Sequence, residues 1–179
     1  MLTIDYSVIR GFDRMIDVID KQIVSIIQED ARISNADIAR RVGLAPSAVL
    51  ERVRKLEERG VILGFETRID HRQFGLGMLA FVFVKSRECG DGTDVELAKI
   101  PEVLEIHDVA GEDSFLLKVR ADSPEGLAKL LREKIKAVQT VLSTRTTVVL
   151  ETIKETSSVR ISPDASAKNK NIKAVKKRK

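Results

Sequence analysis

A chain of 179 residues that is 43% hydrophobic and 32% charged can bury a sizeable core, as one large or two small domains, and is neither fibrous nor low in complexity. Aromatics make up 4% and Trp is absent, so the core is aliphatic and offers little stacking platform, while the single Cys89 excludes an intramolecular disulfide and a cysteine-cluster zinc site. The longest apolar run, Leu76 to Val84, falls far short of the ~20 residues of a membrane helix, and the start Met1-Leu-Thr-Ile-Asp-Tyr6 has no basic n-region, so a cytoplasmic protein without membrane association is expected.

The net charge of +4 is unevenly spread. From Arg160 onward eight bases face the one acid Asp164, a net +7, which leaves −3 for everything before it. Nucleic-acid contact by the folded body therefore has to come from local placement of cations, not from overall charge.

Residues 1–12 show no period. Asp17 with Asp20 has capping-box spacing, and Ile16, Ile19, Ile23, Ile26 and Ile27 form an amphipathic stripe, so a first helix is expected here. Ser34 and Asp37 repeat the capping spacing before Ala36, Ile38, Ala39 and Val42, and Gly43 stops this second helix after about two turns. Only Leu44 and Ala45 precede Pro46, which suits the first turn of a third helix with Val49, Val53 and Leu56 inward and Ser47, Ala48, Glu51, Arg52, Arg54 and Lys55 outward, ending at Gly60. Two short helices joined by a Gly turn read as a helix-turn-helix, the later helix presenting Arg52, Arg54 and Lys55 to phosphates and guanine edges. A solvated face, balanced by Glu51, Glu57 and Glu58 on a plain three-helix bundle, is the competing reading. Val61 to Phe65 and Glu66 to Ile69 can pair around Gly64 as a wing.

Residues 70–78 carry turn residues and read as a linker. Leu79 to Lys85 is a strand, Glu88 to Gly92 a loop, Val95 to Ile100 a short helix stopped by Pro101, Val103 to Val109 a strand, Gly111 to Ser114 a tight turn and Phe115 to Val119 a returning strand. Ser123 and Pro124 open a helix through Ala137, and Thr140 to Thr152 closes the domain. The order is that of a ferredoxin-like βαββαβ unit with both helices on one face, and its other face, lined by alternate residues of Phe81 to Val84 and Thr146 to Leu150, calls for a second subunit as cover. The fold class expected is thus α+β, with residues 13–69 a winged helix-turn-helix, 79–155 a ferredoxin-like domain that also serves oligomerisation, and 159–179 a disordered basic tail able to contact nucleic acid without specificity.

Four stretches resemble the Lrp/AsnC family of transcriptional regulators: Ile16 to Ser34, Ile38 to Leu44, Val49 to Ile62, and Val109-Ala-Gly-Glu-Asp-Ser-Phe-Leu-Leu-Lys118. The resemblance covers roughly residues 13–155 and implies dimers paired through their sheets, in many members octamers, double-stranded DNA as partner, and a small-molecule effector, commonly an amino acid, held between subunits. On the matching positions, DNA contact is expected from Ser34, Asn35, Arg41, Ser47, Arg52, Arg54 and Lys55, and effector contact from Gly111, Glu112, Asp113, Ser114, Thr144 and Thr146. Two departures stand out. Many members carry Gly-Asp-aromatic-Asp where this chain has Gly111-Glu112-Asp113-Ser114, which alters both wall and charge of the effector turn, and Ala45 stands where a Ser usually caps the reading helix, a loss of ~1 kcal/mol.

Two other classes of function stay open at this stage. Some relatives of this architecture are haem-precursor decarboxylases, but His71 lies in the linker and His107 in a strand, and no catalytic triad, carboxylate pair, metal spacing or phosphate loop is visible; no catalytic residue, metal or cofactor is expected. A sensor or assembly protein with a vestigial helix-turn-helix is the third reading, disfavoured by the basic outer face at 52–55. Cys89, a lone loop thiol, is assigned no role.

Overall fold

The computed structural model describes residues 16–87 and 92–162. Cys89 and the basic run of 163–179 lie outside the described residues. The chain forms two compact units, one from the chain up to Thr67 together with the chain from Thr156 on, the other from Arg68 to Glu155.

The first unit holds three helices, α1 (Val18–Glu29), α2 (Asn35–Val42) and α3 (Pro46–Glu58). The expected caps form: the Asp20 amide donates to Asp17 Oδ1 at 2.7 Å, the Asp17 amide donates to Asp20 Oδ2 at 3.2 Å, and Ser34 Oγ accepts from the Asp37 amide at 3.1 Å. Gly43 takes the left-handed turn between α2 and α3 with φ at 71°, a conformation in which a Cβ would be strained. Ile23, Ile38, Ala39, Val49 and Leu56 are buried together where the three helices converge, and Val53 is half-buried beside them.

Beyond α3 the amides of Val61 and Ile62 both donate to the Leu56 carbonyl, closing the helix end. The hairpin expected over 61–69 does not form: residues 63–70 carry no strand, and Leu63 and Phe65 are 94% and 51% exposed. With no apolar surface beneath it, an isolated two-stranded ribbon has nothing to bury and is marginal. The expected free tail of 159–179 is also corrected at its start, because the Val159 amide donates to Gln28 Oε1 of α1 at 2.8 Å and its carbonyl accepts from Gln28 Nε2 at 3.3 Å.

The second unit opens on a 3-10 turn, His71–Phe74, inside the stretch expected to be a bare linker. Its cap, Asp70, accepts from the Arg72 amide and guanidinium at 3.1 and 3.0 Å, and the Arg72 pairing holds the Asp70 carboxyl down to about 2. Then follow β1 (Met78–Ser86), α4 (Thr93–Ala98), β2 (Val103–Asp108), β3 (Phe115–Ala121), α5 (Pro124–Leu130), which widens into a π turn over Leu131–Ile135, and β4 (Val141–Val148). The sheet order is β2-β3-β1-β4, all antiparallel, the split βαββαβ arrangement expected.

One face of the sheet packs under the helices: Ala80, Val82 and Val84 of β1 and Phe115, Leu117 and Val119 of β3 are buried with Leu97, Leu127, Leu130 and Ile135. The other face carries Phe81, Phe83, Leu116 and Lys118, none of them fully buried. Lys118, its side chain 15% exposed, donates to Glu155 at 2.6 Å and to Glu105 at 3.0 Å. The Glu155 bond, above all, raises the ammonium above its usual range, and Lys118 in turn holds both carboxyls below theirs.

Candidate functional site

Helix α3 stands on the first unit with Ser47, Glu51, Arg54 and Lys55 exposed. Its apolar stripe is consumed in the core, and the Gly43 turn sets its angle to α2. Arg54 Nε lies 3.7 Å from Glu51 and 3.4 Å from Glu58, and Lys55 Nζ lies 3.3 Å from Glu51. These are solvent-exposed i, i+3 and i, i+4 pairs, each weak and readily exchanged for a phosphate. Ala45 makes no side-chain cap bond, so the first amides of α3 lack a side-chain cap, as expected.

Arg52 is placed differently from the expectation. Its Nη1 donates to Asp17 Oδ2 and to Asp20 Oδ1, each at 2.7 Å, so the guanidinium turns toward the start of α1 and away from the outer face. Asp20 is buried and cannot leave its charge unpaired cheaply. Burial pushes Asp17 upward, but the Asp20 amide and Arg52 outweigh it and hold its carboxyl below the usual aspartate range. Arg52 thus ties α3 to α1.

Ser34 is occupied as the α2 cap, and its hydroxyl also donates to Asp37. Asn35 is half-buried at the first position of that helix. Arg41, exposed on the last turn of α2, reaches Glu29 only at 3.9 Å. Arg40, beside it and not singled out by the sequence, pairs with Asp37.

On the second unit the effector candidates meet at one end of the sheet. The Ser114 amide donates to the Val84 carbonyl at 2.8 Å, and Val84 is in register with Thr144, so turn and last strand flank the same β1 residue. Ser114 Oγ also bonds Ser86 Oγ at 3.0 Å. Gly111 and Glu112 are exposed, and Thr144 and Thr146 half-buried. A residue the sequence reading missed completes the group: Arg145 donates to Asp113 Oδ2 at 2.8 Å while its guanidinium lies 4.0 Å over the Phe83 ring. Strand alternation between Thr144 and Thr146 was the available signal, since it puts Arg145 on the opposite face, across from Phe83.

His71 starts the 3-10 turn, and His107 Nε2 lies 3.3 Å from Glu105 on the exposed sheet face.

Residues 16–62 match the family model for a winged helix-turn-helix DNA-binding domain, and residues 79–159 match that for the Lrp/AsnC ligand-binding domain. An HTH-type transcriptional regulator from Pyrococcus horikoshii is 38% identical over 148 residues, 82% of this chain and 97% of that protein. The chain belongs to the Lrp/AsnC family of DNA-binding transcriptional regulators. The leucine-responsive regulatory protein of Escherichia coli is 35% identical across 78% of this Lrp/AsnC chain and 88% of its own length. Among solved structures, a feast or famine regulatory protein from M. tuberculosis complexed with L-methionine superposes with a TM-score of 0.77 at 35% identity, covering 83% of this chain and all of that one. A transcriptional regulator from Neisseria meningitidis, also in complex with L-Met, gives a TM-score of 0.76 at 27% identity over 82% of this chain and 97% of that one.

Proposed function

We propose that this Lrp/AsnC regulator reads a DNA site with α3 and is tuned by an amino acid bound at the Gly111–Ser114 turn. The observation that carries the first half is the exposed face of α3, where Ser47, Arg54 and Lys55 stand clear of the core on a helix whose stripe is fully used. Arg54 and Lys55 are the base and phosphate contacts, Ser34 and Asn35 at the start of α2 and Arg41 on its last turn are further backbone contacts, and Arg52 serves as a positioning residue. Effector control is supported by the L-methionine complexes of the two solved relatives and by the Asp113–Arg145 pair, which sets one acidic and one basic group beside exposed Glu112. An α-amino acid carries the complementary ammonium and carboxylate. The exposed sheet face with Phe81, Phe83 and Leu116 supports a dimer through the sheets, with higher assemblies built on it.

The test is binding to the protein's own promoter region and to a scrambled fragment, with L-methionine and a panel of other amino acids added. Saturable binding that prefers the promoter, with a midpoint moved by one amino acid, is the expected result. Arg54→Ala should lower the promoter preference by ~1–3 kcal/mol if it reads a base, and weaken both fragments equally if it holds a phosphate. Indifference to sequence and to every amino acid would overturn the reading.

A further inference from the structure

On its helical side the second unit carries a groove built from residues other than the effector candidates: none of Gly111 to Ser114, Thr144 or Thr146 lines it. The groove holds about 520 Å³, between α4 and the chain that leaves the π turn, within the ~300–1,000 Å³ typical of small-molecule sites. Its floor is apolar. Ile100 is buried, Val138 is half-buried against the same core, and Ala137 is exposed beside it. Two charges of opposite sign border that floor, Glu96 from α4 and Lys134 from the π turn. Thr140 also lines the groove and is held in place: Thr93 Oγ1 donates to its Oγ1 at 2.6 Å, and the Arg87 amide donates to its carbonyl at 2.9 Å.

Both charges keep capacity for a ligand. Lys134 Nζ donates to Glu102, and Glu96 accepts from Lys99 at 2.6 Å, with Glu96 and Lys134 exposed. An ammonium has three donors and a carboxylate about four acceptor sites, so each can take a second partner and keep the first. We propose that this groove is a second small-molecule site, for an α-amino acid with an aliphatic side chain. Its carboxylate binds Lys134, its ammonium binds Glu96, and its side chain lies on Ile100, Ala137 and Val138. A phosphate ester would meet Glu96, and an uncharged apolar molecule would strip water from both ions with nothing in exchange. Thr140 precedes Val141, which is in register with Ser86, and Ser86 Oγ bonds Ser114 Oγ at 3.0 Å. The groove and the effector turn are thus fastened to the same strand pair, while their ligand contacts are separate.

The experiment counts L-methionine and L-leucine bound per full-length chain by equilibrium dialysis, for wild type, Arg145→Ala, Ala137→Trp and Lys134→Ala. Ala137→Trp fills the groove from an exposed position, and circular dichroism checks that the fold persists. It should remove one bound molecule per chain, in the wild type and in the Arg145→Ala background alike. Lys134→Ala should weaken the binding that survives Arg145→Ala by about tenfold or more, the loss of a charged hydrogen bond. L-methioninamide, which lacks the carboxylate, should bind that background as weakly as L-methionine binds it once Lys134→Ala is added, and should not weaken further there. This comparison stands by itself should Ala137→Trp unfold. Binding that disappears entirely in Arg145→Ala overturns the proposal, as does a count and affinity that neither Ala137→Trp nor Lys134→Ala alters. Binding that survives Arg145→Ala and is lost in Ala137→Trp upholds the groove whatever the turn holds, so failure of the effector-turn reading is distinguishable from failure of this one.

Discussion

Arg52 sits three residues after Val49 and four before Leu56, on the border of the buried stripe of α3, and this spacing decides its work. A guanidinium there can reach α1, and two carboxylates wait at that helix start. Arg52→Ala is expected to destabilise the DNA-binding unit by about 1–2 kcal/mol, since charged hydrogen bonds are lost at a partly exposed site and Asp20 is left buried without its cation. Urea unfolding measures this, and promoter and scrambled DNA should lose affinity together; a selective loss on the promoter would return Arg52 to the reading face. The pH dependence has a definite sign. Because the Asp17 carboxyl is depressed in the folded state, its contribution is complete above the ordinary aspartate range and disappears as pH falls through the lowered value. Unfolding midpoints between about pH 5 and about pH 2 should therefore fall less steeply in Arg52→Ala than in wild type. At the effector turn the same kind of argument applies to Arg145. It pairs with Asp113, and Arg145→Ala should abolish any thermal stabilisation by an amino acid at that turn, which at a hundredfold excess over Kd amounts to ~2.7 kcal/mol in the wild type.

At the level of elements, α3 is built from good internal packing and a poor start. Ala45→Ser should supply the absent cap and raise stability by ~1 kcal/mol, read as a later denaturant midpoint. Gly43→Ala should lower it by a similar ~1 kcal/mol, because the residue must keep a left-handed backbone between α2 and α3 although space for a Cβ is open. If Gly43→Ala were neutral, the turn would not be what sets the helix angle. The helices and caps of this unit were legible because capping and periodicity are local physics: Asp17, Ser34, Pro46 and Gly43 act through bonds to residues a turn away. The ribbon over 61–69 was misread for the converse reason. Apolar residues flanking Gly64 have the pattern of a hairpin, but a hairpin needs a surface to lie on, and Leu63 finds none. The π turn at Leu131–Ile135, which ends on the fully buried Ile135, was likewise invisible in the sequence pattern.

For the whole molecule, the sheet has one face consumed by helices and another holding Phe81, Phe83 and Leu116 among charges. Leu116→Glu adds a charge in the centre of that face, next to Phe83 across the β1–β3 pair, and is expected to yield monomers in sedimentation equilibrium while the isolated fold persists in circular dichroism. An unchanged assembly would place the subunit contact elsewhere. The membership of the chain in its family and the order of its two domains follow from the sequence alone, because they rest on periodicity, turn chemistry and motif order, each of which is written in neighbouring residues. Three things were decided only in three dimensions. Arg52 left the outer face because Asp20, thirty-two positions away, is buried beside it. Arg145 meets Asp113 because strand register sets it over Phe83 and against that carboxylate. Val159, which reads as the start of a free tail, is held on α1 by Gln28. In each case the partner lies more than thirty residues off, where spacing carries no information and only the packed core brings the two groups within bonding distance.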